Sequence, residues 1–273
     1  DAPSVSTQIS RHARETPDSV AIESPDGSSM SYRELDGLAT GVARLLMQRG
    51  VERGQIVAIE AQRVAWLIPA LLGIMRAGAV FLILDADQPP DWLDRRVRQG
   101  AASWLLRLAS RRPLDAPTVC QLPEEIELCV RLGDAGSPAV PGLAPSDVAC
   151  IGFTSGSTGC PLPVVGLHGA LTAFLPDQGR RHGLGPSDRV GMLSNLTHDP
   201  LQRDIFTPLW FGGCLCIPPT EVTDWLEWAI ASRITVVNLA PSMIPILAEG
   251  TTACLTELRL AFFVGEVLRG RDV

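Results

Sequence analysis

The residues best suited to chemistry form a short segment rich in hydroxyl groups and glycine, Thr154, Ser155, Gly156, Ser157, Thr158 and Gly159. The segment directly follows an apolar run at 148–153, which predicts a buried strand. Glycine allows the backbone to approach a ligand closely, and successive N–H groups can then surround an anion. The pattern predicts a phosphate-binding loop. The alternative is an ordinary polar turn at the surface.

This segment differs from two familiar nucleotide-binding loops. A Walker loop ends in Gly-Lys, whereas all 23 basic residues of this chain are arginine. The Gly-x-Gly-x-x-Gly spacing of a dinucleotide site is also missing. Any phosphate binding by the segment therefore lacks a lysine ammonium, and no mechanism that requires lysine can run on this chain alone.

The composition favours a folded globular domain. The 273 residues are 46% hydrophobic and 19% charged, which supplies enough apolar material for a large core. A net charge of −7 argues against a nucleic-acid partner, which usually requires a basic surface. No uncharged apolar run reaches the roughly 18 residues of a membrane helix, and no signal peptide is visible. We expect a cytoplasmic protein without a metal site, whose seven cysteines are free thiols.

Apolar strands alternate with helical segments on both sides of the predicted loop. The strongest helical signal begins at Ser31, where Glu34 completes a capping box, and it stops at Gly50. The alternation predicts an α/β fold with parallel strands. Further strands are predicted at 19–23, 56–59, 80–84, 126–130, 148–153, 190–193, 214–217, 234–239 and 260–264, and further helices at 64–77, 168–177, 200–210, 222–231 and 241–248.

A stretch at 133–147 divides the chain into two predicted subdomains. It contains three prolines and three glycines, which indicates a surface connection. We predict a first α/β subdomain over 1–147 and a second over 148–273. The second would carry the phosphate-binding loop and the later strands.

Four segments resemble, in order, motifs of the adenylate-forming superfamily, which includes the adenylation domains of nonribosomal peptide synthetases. They are 30–35, 75–85 with Pro89, 151–165 with His168, and 258–268. The resemblance implies a layered α/β/α/β core in which two sheets enclose helices. It also implies ATP and Mg²⁺ as ligands, with residues 154–159 closing over the phosphates. Because the mobile C-terminal subdomain has no match, we expect the fold to be incomplete at the C-terminus.

The same resemblance places a substrate pocket around residues 198–206. This run is similar to a His-Asp-Pro-x-x-Arg-Asp variant of some synthetase modules and of aminoadipate-reductase-like enzymes. Asp199 would pair with the substrate ammonium. The alternative is that Asp199 caps a helix that begins at Pro200. The implied pocket positions are Asp199, Pro200, Arg203, Asn238, Phe262 and Val264, and the positions near the nucleotide are Gly265 and Glu266.

Arg203 and His168 have two interpretations each. An inward-facing Arg203 would favour an anionic or strongly polar substrate side chain. Otherwise Arg203 and Asp204 are exposed charges on a helix. His168 matches a histidine of the family near a helix start, and it could equally be a surface or capping residue.

The chain departs from the family pattern where phosphate is handled. Leu162 stands where the family has lysine and Pro163 where it has glycine. Leucine brings no positive charge, and proline removes an N–H and fixes φ. The catalytic lysine of the family lies in the part without a match. We therefore predict that this chain contains no catalytic residue, binds ATP weakly if at all, and forms no aminoacyl-adenylate by itself.

Two functions remain open. The first is part of a peptide-synthetase adenylation domain, whose full form activates an amino acid with ATP and loads a carrier protein. The second is a truncated, non-catalytic domain that acts as a scaffold between synthetase domains. The resemblance implies a carrier protein and a condensation domain as partners, with an MbtH-like protein as a further candidate. An acyl-CoA-synthetase relative is disfavoured by Asp199, because acids without an amino group need no such partner.

Overall fold

The computed structural model describes residues 3–108, 119–121, 142–153, 161–221, 225–248 and 254–269. Two six-stranded sheets, both largely parallel, and the helices that cover them make up this part of the chain. The α/β class is therefore confirmed. The predicted loop at 154–159, the predicted strand at 126–130 and most of the connection at 133–147 lie outside the described residues.

The first sheet combines two strands from the start of the chain with four from its second half. Its order is β2-β1-β10-β9-β11-β12, and only the β1–β2 pair is antiparallel. The strands are β1 (Val20–Glu23), β2 (Ser29–Ser31), β9 (Arg189–Gly191), β10 (Cys214–Cys216), β11 (Val236–Leu239) and β12 (Leu260–Phe263).

The second sheet has the order β6-β5-β3-β4-β7-β8. All pairs are parallel except β7–β8, which forms an antiparallel hairpin at one edge. The strands are β3 (Ile56–Ala61), β4 (Val80–Asp85), β5 (Trp104–Arg107), β6 (Val119–Gln121), β7 (Val148–Phe153) and β8 (Pro163–Leu167).

The helices fill the space between the sheets and cover their outer faces. They are α1 (Val5–Glu15), α2 (Tyr32–Gln48), α3 (Leu67–Arg76), α4 (Pro90–Gln99), α5 (His168–His182), α6 (Pro200–Phe211), α7 (Trp225–Ala231) and α8 (Met243–Ala248). None of the helices in the described ranges is long and apolar enough to cross a membrane.

One hydrophobic cluster joins the two sheets through α2, α3 and α6. It includes Ile22 and Leu215 of the first sheet, Ile59 and Phe81 of the second, and apolar residues of all three helices. Every residue of α3 is buried. The predicted layered arrangement, with helices enclosed by two sheets, is therefore confirmed. Both sheets contain strands from each side of residue 147, so each sheet is built from residues of both predicted subdomains. The boundary itself stays a prediction.

The capping box at the start of α2 is confirmed. The Ser31 hydroxyl accepts a bond from the Glu34 N–H at 3.3 Å, and the Glu34 carboxylate accepts one from the Ser31 N–H at 2.8 Å. These contacts satisfy donors that the first helical turn leaves free. The helix ends two residues before Gly50, whose φ of +90° suits glycine.

The sequence analysis did not predict helices α1 and α4, and a proline lies near the start of each. Pro3 lies outside α1, whose N-cap Ser4 accepts a bond from the Thr7 N–H. Pro90 is itself the first residue of α4, a position where the missing N–H costs nothing. Proline near these two positions therefore marks where a helix begins.

Candidate functional site

In the sequence, strands β7 and β8 stand on either side of the predicted phosphate-binding loop. Phe153, the last residue of β7, pairs with Pro163, the first residue of β8. Strand β7 is parallel to its neighbour β4, so the carboxyl ends of both strands lie at one edge of the sheet. The connection from 154 to 162 starts at that edge, where open α/β sheets usually bind ligands.

An open groove lies at the same edge of the second sheet. It is lined by 81–83 of β4, by 151–153 of β7 and by residues around the start of α6, including His198, Asp199 and Gln202. Of the predicted pocket residues, only Asp199 lines this groove. The groove therefore joins the strand before the predicted loop to the predicted partner of the substrate ammonium.

Asp199 occupies the N-cap position of α6, and Pro200 is the first helical residue. The capping interpretation is correct about this position, but the Asp199 side chain makes no capping hydrogen bond. The carboxylate is exposed. Because it does not serve the helix, it is available to a cationic group in the groove.

Arg203 packs against helix α5 and does not line the groove. Its guanidinium carbon lies 5.1 Å from the centre of the Phe174 ring, which is a cation–π distance. Arg203 is half-buried. The side chain is thus committed to a contact within the protein.

Asp204 is fully buried, so its interpretation as an exposed helix charge is wrong. Its carboxylate accepts hydrogen bonds from the Ser194 N–H at 2.7 Å and from the Asn238 Nδ2 at 2.8 Å. Burial raises the pKa of Asp204 to about 7, because a carboxylate is poorly solvated in the core. The hydrogen bonds and the nearby Arg63 oppose that increase.

Asn238 and Phe262 lie side by side on the first sheet, because they are register partners on β11 and β12. The edge of the Phe262 ring packs on His182 with ring centres 4.8 Å apart. Val264 comes two residues after Phe262, so its side chain lies on the same face of the sheet, and it is half-buried. The structure therefore brings three predicted pocket positions to one sheet face, with Asp204 hydrogen-bonded to the first of them.

The two predicted nucleotide-proximal residues lie at the end of β12. Gly265 has a φ of +91°, a conformation that favours glycine. The Glu266 carboxylate accepts bonds from the N–H and hydroxyl of Ser242, at 3.0 and 2.9 Å. Ser242 directly precedes α8, so Glu266 fixes the start of that helix.

His168 is the first residue of α5 and is only 3% exposed, so it is not a surface residue. Neither ring nitrogen has a hydrogen-bond partner among the described residues. Burial lowers the pKa of His168, although Asp147 opposes the effect. The imidazole is therefore neutral near pH 7.

Sequence reasoning missed Arg63, which follows β3. Its Nη2 donates to the Ser194 carbonyl at 2.8 Å, and its guanidinium carbon lies 5.5 Å from the centre of the Trp225 ring. Arg63 thus connects the second sheet to the segment before α6. A charged residue two positions after a buried parallel strand was the available signal.

Comparison with known proteins identifies the family. A family model described as AMP-binding enzyme matches residues 9–272. The chain belongs to the AMP-binding enzyme family. This confirms the adenylate-forming resemblance, since the match covers nearly the whole chain.

Within the described residues, no group of three or more His, Cys, Asp or Glu side chains is placed to hold a metal ion.

The curated relatives of this chain are much longer proteins. L-2-aminoadipate reductase of Schizosaccharomyces pombe is 31% identical over 288 residues, which cover 93% of this chain and 20% of the relative. A nonribosomal peptide synthetase-like enzyme, fsqF of Aspergillus fumigatus, is 35% identical over 94% of this chain and 17% of its own length. The chain spans about a fifth of these relatives.

Solved adenylation-domain structures share the fold. The nonribosomal peptide synthetase FmoA3 in its α-methyl-L-serine-AMP-bound form has a TM-score of 0.87 and 28% identity, covering 99% of this chain and 31% of that chain. The N-terminal subdomain of Klebsiella oxytoca NpsA has a TM-score of 0.87 and 22% identity, covering all of this chain and 69% of that one. The second likeness concerns the fold alone.

Proposed function

We propose that this chain is part of an adenylation domain of the nonribosomal peptide synthetase type. The full domain would activate an amino acid with ATP as an aminoacyl-adenylate and load it on a carrier protein. The observation that carries the proposal is the groove between the end of β7 and Asp199. Residues 154–159 follow β7 in the sequence, and the Asp199 carboxylate makes no capping hydrogen bond.

Asp199 is the proposed partner of the substrate ammonium. A charge-assisted hydrogen bond of this kind contributes roughly 1.5–3 kcal/mol, or about 10- to 150-fold in affinity. The α-methyl-L-serine-AMP named for the FmoA3 structure supports an amino acid as the substrate class. We propose that Pro200, Asn238, Phe262 and Val264 form the further pocket wall. Arg203 would shape that wall through its contact with Phe174 rather than bind an anionic substrate.

ATP is the proposed second substrate, with Mg²⁺ as its counterion. The AMPPNP-bound form of FmoA3, at 28% identity, supports an adenine nucleotide. The described residues fit the phosphates only in part. Leu162 is 61% exposed and brings no charge, and Pro163, the first residue of β8, has no N–H. We therefore propose weak ATP binding, with residues 154–159, Gly265 and Glu266 nearest the nucleotide.

The exposed Leu162 also supports the alternative function. A domain that no longer stabilises pyrophosphate charge could act as a scaffold between a condensation domain and a carrier protein. A fold neighbour that is an artificially fused adenylation–PCP di-domain supports the carrier as a partner. An MbtH-like protein is a further proposed partner.

Isothermal titration of the chain with ATP and a panel of amino acids tests the proposal. We expect one amino acid to bind, and to bind more tightly with ATP present. Asp199→Asn should lower the affinity for that amino acid by about 10-fold or more. The control is Asp177→Asn, which removes an exposed carboxylate of α5. Equal amino-acid affinity in Asp199→Asn and wild type would refute the role of Asp199.

Two further results separate the alternatives. ATP–pyrophosphate exchange with clear amino-acid dependence would contradict the predicted inactivity of the isolated chain. Binding of a carrier protein without any binding of ATP or amino acid would favour the scaffold.

A further inference from the structure

The inference begins with the hydrogen bond between Asn238 and Asp204. An ionised carboxylate only accepts hydrogen bonds, so the Asn238 amide must turn its NH₂ group toward Asp204. The observed 2.8 Å contact from Nδ2 to the Asp204 Oδ1 has this direction. Asn238 is 4% exposed and Asp204 is 0% exposed. The orientation of the amide is therefore set by a buried neighbour rather than by solvent.

This orientation leaves the carbonyl oxygen of Asn238 facing away from Asp204. That Oδ1 is buried and has no hydrogen-bond partner among the residues that the structure describes. A buried acceptor without a donor is costly and calls for an explanation. The donor must come from outside the described residues, and a ligand or a water molecule is the simplest source.

The Asp204 carboxylate is itself held in place by two neighbours. The second oxygen of Asp204 accepts from the Ser194 N–H at 2.7 Å. The Ser194 carbonyl in turn accepts from Arg63 at 2.8 Å. Arg63 is the charged group that faces Asp204 and favours its ionised form, whereas burial opposes ionisation. With Asp204 ionised, both of its oxygens are engaged and the Asn238 amide has one allowed orientation.

The proposed function assigns Asn238 to the pocket wall, although Asn238 does not line the groove at Asp199. Asn238 is the register partner of Phe262, and Val264 continues that sheet face. An acceptor fixed on this wall can discriminate between ligands, because a site built to receive a hydrogen bond rejects a ligand that lacks the donor.

We propose that Asp204 is a positioning residue that holds the Asn238 carbonyl as a fixed acceptor, so that the pocket selects an amino acid whose side chain carries an N–H or O–H donor. The inference rests on the proposed function, because it takes Asn238 as part of the substrate pocket. To that function it adds the class of amino acid that binds, and it assigns a role to Asp204, which is not among the pocket residues implied by the family resemblance.

The Asp204→Asn variant provides a sharp test because it should reverse the Asn238 amide. The carbonyl of the new amide at position 204 can still accept from Ser194, but its NH₂ must then donate to Asn238. To accept that bond, Asn238 must turn its carbonyl toward position 204 and its NH₂ toward the ligand. The variant keeps the size of the side chain and replaces the fixed acceptor with a donor.

Binding is compared by calorimetry, at about pH 8.5 with ATP present, within pairs of isosteric amino acids. The pairs are lysine with 2-aminoheptanoate and 2,4-diaminobutyrate with norvaline. We expect wild type to prefer the donor-bearing member by about 10-fold. In Asp204→Asn that preference should disappear, and O-methylserine, which only accepts, should gain affinity relative to norvaline. Asp177→Asn, on exposed α5, should keep the wild-type preference.

Side-chain amide NMR of the ligand-free protein gives a readout that does not depend on substrate binding. The Asn238 NH₂ resonances, identified by their loss in Asn238→Ala, should move as Asp204 titrates and should lose that response in Asp204→Asn. If Asp204→Asn does not fold, wild type at about pH 5.5 serves instead. There a neutral Asp204 can donate to Asn238, and the preference for lysine over 2-aminoheptanoate should fall.

The outcomes are distinct. Equal binding within each pair by wild type would overturn this inference and leave the proposed function intact, with a water molecule as the partner of Asn238. An Asn238 amide that does not respond to Asp204 would also overturn it. If no amino acid binds at all, the proposed function fails and the inference fails with it.

Discussion

The raised pKa of Asp204 predicts an unusual dependence of stability on pH. The folded pKa of about 7 lies above the ordinary value of 3.8, so between these values the folded chain holds a proton that the unfolded chain has lost. The folded state therefore binds more protons, and stability must fall as pH rises through this window. From about pH 5 to about pH 8, linkage gives a loss of about 2.5 kcal/mol from this one group.

The assay is urea unfolding of wild type and Asp204→Asn at several pH values. Other groups titrate in the same window, but they are common to both proteins and cancel in the difference. We expect the free energy of unfolding of wild type, relative to the variant, to decrease by about 2.5 kcal/mol between the two pH limits. A difference that is constant with pH, or that grows in favour of wild type as pH rises, would refute the reasoning.

Two further predictions concern the core that positions the site. In Gly73→Ala a new Cβ would lie 2.5 Å from the Cβ of Val42, so α2 and α3 must separate, and urea unfolding should show a loss of about 1–3 kcal/mol. Gly37→Ala, with nothing within 4 Å, is the matched control and should be neutral or stabilising. Replacing the 4% exposed Arg76 by Met removes its 2.5 Å ion pair with Asp36. Since Asp36 keeps partial access to solvent, the loss should be about 3 kcal/mol, and a loss below about 1 kcal/mol in the same assay would contradict it.

Much of the fold could be predicted from local patterns. The capping box at Ser31 and the apolar strands 56–59 and 80–84 use rules that act within a few residues. The order of the strands could not be derived from such rules. Strand β1 pairs with β10, almost two hundred residues later, and no local pattern specifies that partner. The family resemblance implied two sheets that enclose helices, and it gave no strand order.

The candidate site was less predictable, because α6 has little polar surface. Seven consecutive residues from Asp204 to Trp210 are buried, so the helix shows no clear apolar stripe against which a charged residue could be placed. The sequence therefore left Arg203 with two interpretations, inward-facing or exposed, and offered only an exposed helix charge for Asp204. Deciding between them required the neighbours on α5 and β11.

The different surroundings of Arg203 and Asp204 follow from helix geometry. Successive residues of an α-helix are rotated by about 100°, so neighbours in sequence meet different surroundings. Arg203 meets the ring of Phe174 on α5, which accepts a cation without removing it from water completely. Asp204 meets β11, where Asn238 donates to it. Exchanging the two residues would bury a guanidinium against the Ser194 N–H, which can only donate, and place a carboxylate over an aromatic face. Both contacts are repulsive, so the order Arg203-Asp204 is itself a requirement of the packing around α6.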